Sequence, residues 1–372
     1  MRIAYVALNL NKRLMLGGVG RKLRQHTAIW REKGHDSRLF VLTTDDINLS
    51  EVTAFSIKRK REGSSFSLIA SEIARTSALK ELIQAVWDFA PDVIYLRQSL
   101  YLYPLHRLPD IAPVVIEINT DDVQEYKLRN KPLYLYHRLT RNLILRSVSG
   151  IVTISHEIAN LQTITGFDKP VTVVPNGIDL QALAPVPAPN NDQPRLAFAG
   201  NPGPPWNGLD KLLLFAKEMP QICIDMIGYD QDDLKAFGTT PENVICHGFM
   251  PVEQVYDVLS HADVACGTLA LHRKKLEENS ALKIREALAL GLPIILAYYD
   301  TDISEHNFDF VLQLPNSEDN VEKNIDRIRD FVFAMVGKRA NRKQIAPLID
   351  QSIKEEQRLT FLQHFVHKEK TE

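Results

Sequence analysis

The stretch Glu278–Ala297 constrains this chain more tightly than any other. Ala281, Ile284 and Leu288 recur at helical spacing, and Ser280 is placed to cap that helix through its hydroxyl. Gly291 suits the left-handed conformation that ends a helix, Pro293 blocks continuation, and Ile294–Ala297 reads as a buried strand. The expected order is therefore loop, short capped helix, strand. The first turn of a helix leaves N–H groups unpaired and carries partial positive charge, which suits a phosphate. Lys283 adds a full charge where acids are the usual choice, so an anionic partner is implied. Glu278 and Glu286, eight positions apart, accept hydrogen bonds once ionised, and hydroxyl groups are their natural neutral partners. A diphosphate between two sets of hydroxyls describes a nucleotide sugar; on spacing alone a solvated Glu pair on a surface helix is the favoured reading.

The surrounding residues narrow the choice. Glu278 and Glu286, followed by Ala-Leu-Ala-Leu-Gly-Leu-Pro-Ile-Ile, resemble the signature of the retaining GT-B glycosyltransferases of family 4. Val174–Asp179 is similar to that family's segment at the junction of its two domains, and Gly17-Gly18-Val19-Gly20 to its acceptor-side glycine loop. Asn243–Pro251, followed by a helix and Ala262-Asp263-Val264, resembles its nucleotide-side strand and loop. These pieces fall in the family's order over nearly the whole chain. Each is weak alone; together they are specific.

At 372 residues, two domains are the natural expectation. With 45% hydrophobic and 24% charged residues, neither a disordered nor a fibrous class fits. Cys223, Cys246 and Cys266 lie in apolar runs without Cys-x-x-Cys spacing, which predicts buried thiols in a reducing compartment. Met1-Arg2 leads straight into Ile3–Leu8, too short for a signal segment, and no apolar run is long enough to span a bilayer. A soluble cytoplasmic protein is expected. Residues 1–189 carry 24 Lys/Arg against 18 Asp/Glu, a balance of +6, whereas residues 190–372 carry 20 against 28, a balance of −8. A basic first half and an acidic second half suggest different partners for each.

In the first half, Arg2–Leu8, a long loop Asn9–Val19, a helix ended by Gly34 and the strand Ser37–Leu42 begin a doubly wound parallel sheet. Gly-Gly-x-Gly lacks the third glycine of the dinucleotide fingerprint, so such a cofactor is not expected. Val114–Ile118 is a further buried strand, with Asn119, Thr120, Asp121 and Asp122 following. The family resemblance sets Asn119 where many relatives carry a His near donor sugar and acceptor. Asn119 and Asp121 are candidates to bind a sugar, and helix-terminal charge is the alternative for Asp121 and Asp122. The run Lys58–Arg61 is either solvated surface or a contact for an anionic membrane. From Tyr126 to Ser149 there is no acid, and Lys127, Arg129, Lys131, Arg138, Arg141 and Arg146 interleave with leucines and tyrosines. Two readings apply: anionic lipid headgroups, or the favoured one, a core helix with its basic face in water. No nucleic-acid motif accompanies these residues, so nucleic acid is not expected as a partner. His156-Glu157-Ile158-Ala159-Asn160 fails as a zinc-protease motif because Asn160 replaces the second His.

Four prolines, Pro185, Pro187, Pro189 and Pro194, mark a composition break read as a linker. A second sheet begins at Arg195–Ala199, followed by the loop Gly200–Gly208. The family commonly presents an Arg and a Lys to the donor diphosphate from this loop; here Asn201 and Asn207 fall on those positions. Lys283 is the candidate replacement, with Arg273, Lys274 and Lys275 in reserve. Gly248 and Phe249 follow a strand where a nucleobase would meet backbone and ring; a packed Phe249 is the alternative. His247 is read as a locally satisfied strand residue. Asp300-Thr301-Asp302 has a metal-binding pattern but arrives late and without companion carboxylates, so no metal is expected.

The resemblance implies an α/β chain of GT-B architecture: two doubly wound, Rossmann-like parallel-sheet domains facing a cleft. The expected division is an acceptor-binding domain at 1–184, a linker at 185–194, a nucleotide-sugar domain at 195–343, and a helical return at 344–372. Carried over to this sequence, Glu278 would hold donor-sugar hydroxyls and Glu286 the ribose. Ser280, Ala281, Leu282 and Lys283 would meet the diphosphate, and Gly18 would border acceptor and phosphates. Sugar transfer with retention, from a nucleotide sugar to a glycan or lipid-linked saccharide, is the expected activity, with no cofactor. A catalytically impaired sugar-nucleotide-binding protein and a GT-B phosphorylase are the alternatives.

Overall fold

The computed structural model describes residues 1–57 and 67–366; Lys58–Arg61 lie outside them. The chain divides into two compact units, Met1–Val174 with Glu355–Glu372, and Pro175–Lys354.

The described residues of the first unit hold seven strands: β1 (Arg2–Leu10), β2 (Asp36–Thr43), β3 (Val52–Ser56), β4 (Val93–Arg97), β5 (Val114–Ile118), β6 (Gly150–Thr153) and β7 (Val171–Val173). Their order is β3-β2-β1-β4-β5-β6-β7, and every pairing is parallel. The apolar run of β1 follows from this burial on both faces. Ile3, Tyr5 and Ala7 join one core cluster while Ala4, Val6 and Leu8 join another, as a two-residue side-chain period requires. The expected loop after β1 contains a short helix, Lys12–Leu16, because Asn11 caps it by accepting the Leu14 N–H at 2.8 Å. Gly20, in the next helix (Gly18–Glu32), is needed for close packing. A Cβ there would lie 2.0 Å from the Met15 carbonyl oxygen.

In the second unit six parallel strands run in the order β10-β9-β8-β11-β13-β15. They are β8 (Arg195–Ala199), β9 (Cys223–Ile227), β10 (Val244–Gly248), β11 (Val264–Cys266), β13 (Ile294–Leu296) and β15 (Val311–Gln313). A separate parallel pair joins β12 (Glu278–Asn279) to β14 (Tyr299–Asp300). Thus Glu278 and Asn279, read as loop, are strand. After β15 come a single turn at Glu322–Asn324 and the helix Ile325–Met335. In both main sheets the order reverses once, between β1 and β4 and between β8 and β11, which is where doubly wound sheets bind ligands.

The units divide at Val174/Pro175 and inside the helix Gln351–Val366, at Lys354/Glu355. The proline-rich segment 185–194 therefore lies within the second unit. The Val186 N–H bonds the Leu290 carbonyl, and Arg339 binds the carbonyls of Val186 and Pro187.

Within the first unit, the end of the chain is fastened by buried charge. Glu355 accepts from the Trp30 indole N–H at 2.6 Å and from Arg358, and Arg358 Nε donates to the Tyr95 hydroxyl at 2.8 Å. Arg358 also lies 3.7 Å from the fully buried Glu117. Removing one member of a buried ion pair strands the other, at a cost of about 3–5 kcal/mol. Arg358→Leu is expected to lower unfolding stability by about that amount in urea titration. Glu356→Ala, at an exposed neighbour 3.8 Å from Lys33, should leave the midpoint in place.

Candidate functional site

Beyond the carboxyl ends of β8 and β11, the helix Leu282–Leu290 begins. Ala281 occupies its N-cap position without a side-chain cap bond, correcting the expectation for Ser280. The physical reason is that the Ser280 hydroxyl is used elsewhere. Its oxygen accepts from the Asn176 N–H and from Arg285 Nη2, each at 2.9 Å. The first bonds inside the helix, donated by Ile284 and Arg285, both end on the Ala281 carbonyl, so the amides of Leu282 and Lys283 precede the ladder.

Lys283 leans from this helix start onto the end of β8. Its Nζ donates to the Ala199 carbonyl at 3.1 Å and sits 4.5 Å from the centre of the Phe198 ring. Burial lowers its pKa to about 8, only partly opposed by Cys266. A small cavity beside it is lined by Ala197, Ala199, Cys266, Lys283 and Glu286, among others. Lys283 and Glu286 thus share one space at the strand-order reversal. Glu278 is not part of that lining; it is buried on β12, in register with Tyr299 of β14.

The loop after β8 is held by amides. Asn207 Nδ2 donates to the Asn201 carbonyl at 3.0 Å and to the Tyr229 hydroxyl at 2.8 Å, and that hydroxyl donates to the same carbonyl. Asn207 is buried, so it shapes the loop from within. Of the reserve cations, Arg273 is gripped by Asp210 and Glu318, and Lys274 lies 4.6 Å from the Trp206 ring centre. Lys283 is the cation that reaches the end of β8. Gly248 ends β10 with φ +65°, and Phe249 after it is 58% exposed, so the packed alternative is not what this ring does. His247 bonds Asp225 at 2.8 Å, as a locally satisfied residue should.

Sequence reasoning missed Arg285. Its fully buried guanidinium binds both Asp300 oxygens at 2.9 and 2.8 Å, Asp302 at 3.0 Å, the Ser280 hydroxyl and the Asn176 carbonyl. Lys354 takes the other Asp302 oxygen at 2.7 Å. The Asp-x-Asp pattern therefore supplies counter-charges for Arg285 and Lys354. The available signal was a third charge beside Lys283 and Glu286 in a nine-residue helix with an apolar face; the charge that is buried needs acids somewhere.

In the first unit, Gly18 opens the helix Gly18–Glu32, one turn before the buried Lys22. Lys22 Nζ donates to Glu117 at 2.8 Å and to Asn119 Oδ1 at 2.9 Å, and Asn119 Nδ2 donates to Glu117 at 3.1 Å. Burial lowers the Lys22 pKa to about 8 against the pull of Glu117. Lys22 and Glu117 escaped notice, although an acid within the apolar strand Val114–Ile118 demands buried cations. Asp121 is the N-cap of the helix Asp122–Arg129, accepting the Gln124 N–H at 3.0 Å, so the helix-terminal alternative describes it. Asp122 is buried against His137 and Arg141; burial pushes its pKa up, but these two partners hold it at about 2.

Residues 16–182 match the model of Glycosyltransferase Family 4. No curated protein sequence matches the chain. Sucrose-phosphate synthase from Thermosynechococcus elongatus superposes with a TM-score of 0.71 at 15% identity, over 98% of each chain. Anabaena HepE in complex with UDP and glucose gives 0.65 at 14% identity, over 97% of this chain and 98% of that one. An α-glucosyltransferase in complex with UDP and a mismatched 13-mer DNA gives 0.68 at 13% identity, over 98% and 100%. At these identities the superpositions establish the fold, which is GT-B.

An anion placed over the amides of Leu282 and Lys283 would raise the lysine pKa, so binding should take up a proton near pH 8. Calorimetric titration with pyrophosphate, in buffers of different ionisation enthalpy, is expected to show more proton uptake by the native chain than by Lys283→Met.

Proposed function

We propose that this chain, with its Glycosyltransferase Family 4 segment and GT-B fold, transfers a sugar from a nucleoside diphosphate sugar to a glycan or lipid-linked saccharide, retaining the anomeric configuration. Assembly of a polysaccharide at the cytoplasmic face of a membrane is the setting we favour. The observation that carries the reading is Lys283, a half-buried cation at a helix start and at the strand-order reversal, sharing a cavity with Glu286.

The donor diphosphate lies over the amides of Leu282 and Lys283, behind the turn made by Ser280 and Ala281. Glu278 accepts hydrogen bonds from donor-sugar hydroxyls, and Glu286 from the ribose. The Gly248 backbone and the Phe249 ring receive the base, while Asn201 and Asn207 hold the loop that borders the phosphates. Gly18 and Asn119, in the first unit, serve the acceptor side. In the reaction the bond from the anomeric carbon to the β-phosphate oxygen breaks, and the acceptor oxygen bonds that carbon on the same face. The acceptor proton passes to the departing diphosphate oxygen, so no enzyme nucleophile is required. Lys283 and the helix start stabilise the charge that develops there. Neither metal nor cofactor takes part in this scheme.

UDP-sugars are the first donors to test, because HepE and the α-glucosyltransferase were both solved with UDP. The second of these carries DNA, so acceptor screening includes a DNA oligonucleotide beside saccharides. Release of nucleoside diphosphate from UDP-, GDP- and ADP-sugars identifies the donor. Glu278→Gln and Lys283→Met are each expected to lower kcat/KM roughly 100-fold. Unchanged turnover in both variants would remove the assignment. Asn201 and Asn207, at positions where the resemblance to family 4 implies an Arg and a Lys, favour one rival, an impaired binder. That rival predicts thermal stabilisation by a nucleotide sugar without release of product.

A further inference from the structure

The helix Lys131–Leu145 buries Ile144 and Leu145 in the core, yet leaves a second set of apolar residues outside. Its buried side carries His137 and Arg141, which meet the Asp122 carboxylate at 2.7 Å each, and Arg141 also donates to the Thr163 carbonyl. Its outer side carries Leu135, Leu139 and Leu143, exposed by 59%, 72% and 52%. Spaced four apart, these leucines stack along one face. The basic face expected in water is there, but a leucine stripe lies in it as well, and His137 and Arg141 are turned inward. Lys131, Arg138 and Arg146 are exposed around the leucine stripe. Leu128 and Lys127, on the preceding helix, add an exposed leucine and lysine. The sequence has no acid from Tyr126 to Ser149.

We propose that this face is a docking surface for an anionic lipid bilayer, with the helix lying in the interface plane. Leucines that cost free energy in water would enter the headgroup–acyl boundary, while the lysine and arginines reach lipid phosphates. The buried His137–Asp122–Arg141 clasp fixes the helix to the unit, so the face is presented without refolding. Charge complementarity chooses the occupant. In a two-fold pairing of copies, the same cations would face one another, and this helix carries no acid of its own to answer them. A single-stranded nucleic acid would be met by ring faces, whereas aliphatic leucines match hydrocarbon. Among the described residues no helix is long and apolar enough to cross a membrane, so attachment of this kind is peripheral.

The test needs no knowledge of donor or acceptor and so stands apart from the proposed activity. The full chain is sedimented with extruded vesicles of phosphatidylcholine alone or of equimolar phosphatidylcholine and phosphatidylglycerol. Binding to the anionic vesicles, weakened by added salt, is expected. The variant Leu135→Ser/Leu139→Ser/Leu143→Ser should lower the partition coefficient at least about tenfold. Lys131→Glu/Arg138→Glu/Arg146→Glu should abolish the preference for phosphatidylglycerol. Both variants alter outward-facing residues, and an unchanged urea midpoint verifies their folding. The proposal is overturned if the native chain stays in the supernatant or binds both vesicles equally. It is equally overturned if the serine variant binds like the native chain, if the leucines instead drive dimerisation in sedimentation equilibrium, or if an oligonucleotide displaces the vesicles.

Discussion

The guanidinium of Arg285 is the fixed point of the second unit. It draws together the Asp300–Asp302 turn, the Ser280 hydroxyl and the Asn176 carbonyl, three segments far apart in sequence. Burial alone would lower its pKa, but the carboxylates of Asp300 and Asp302 outweigh that and raise it, so the charge stays. A buried cation so fully partnered leaves little freedom to the elements around it. Glu278 and Asn279 are held as a strand against Tyr299 and Asp300, and the helix after Ala281 starts from a defined point. Gly177 packs so closely that a Cβ would meet the Gln351 Cα at 2.7 Å. The proposed donor residues are thus placed by groups that need not touch the donor.

The first unit solves a similar problem with a carboxylate at the centre. Burial would raise the pKa of Glu117, but Lys22, Arg358 and Arg97 hold it well below the usual range. This network also fixes Asn119, whose oxygen takes Lys22 and whose nitrogen donates to Glu117. Resemblance to family 4 sets a histidine at this position in many relatives. An amide does not titrate near neutral pH, so this position adds no ionisation to the pH profile. The anchoring explains why a neutral side chain can keep one orientation here.

Much of the fold was legible because burial leaves a direct mark on sequence. The apolar runs Ile3–Leu8, Val114–Ile118 and Ile294–Ala297 belong to parallel strands covered on both faces, and the positive-φ Gly34, Gly291 and Gly337 lie just beyond helices. The placing of Lys283 and Glu286 together at the switch point was also readable, since spacing along a helix is local information, whereas Glu278 lies on β12 outside the cavity those two share. What escaped was non-local. Spacing does not announce that the Ser280 hydroxyl is claimed by Arg285, five residues on, and by the distant Asn176, so the capping expectation failed. Asp300-Thr301-Asp302 looked like a metal pattern because its cationic partners, Arg285 and Lys354, are distant in sequence. Buried lone charges such as Lys22, Glu117 and Arg285 demand partners, but sequence does not say which. The helix Lys131–Leu145 was legible only in part: Lys131, Arg138 and Arg146 face water as expected, but His137 and Arg141 are inside because Asp122 is there to meet them.

The central claim is that the start of the helix Leu282–Leu290, with Lys283, holds a diphosphate. The most direct measurement is a crystal structure of the chain with UDP bound. It is predicted to place diphosphate oxygens within hydrogen-bond distance of the Leu282 and Lys283 amides and the Lys283 ammonium, with the ribose at Glu286. A diphosphate lodged away from that helix start, with the Lys283 ammonium still on the Ala199 carbonyl, would contradict the account.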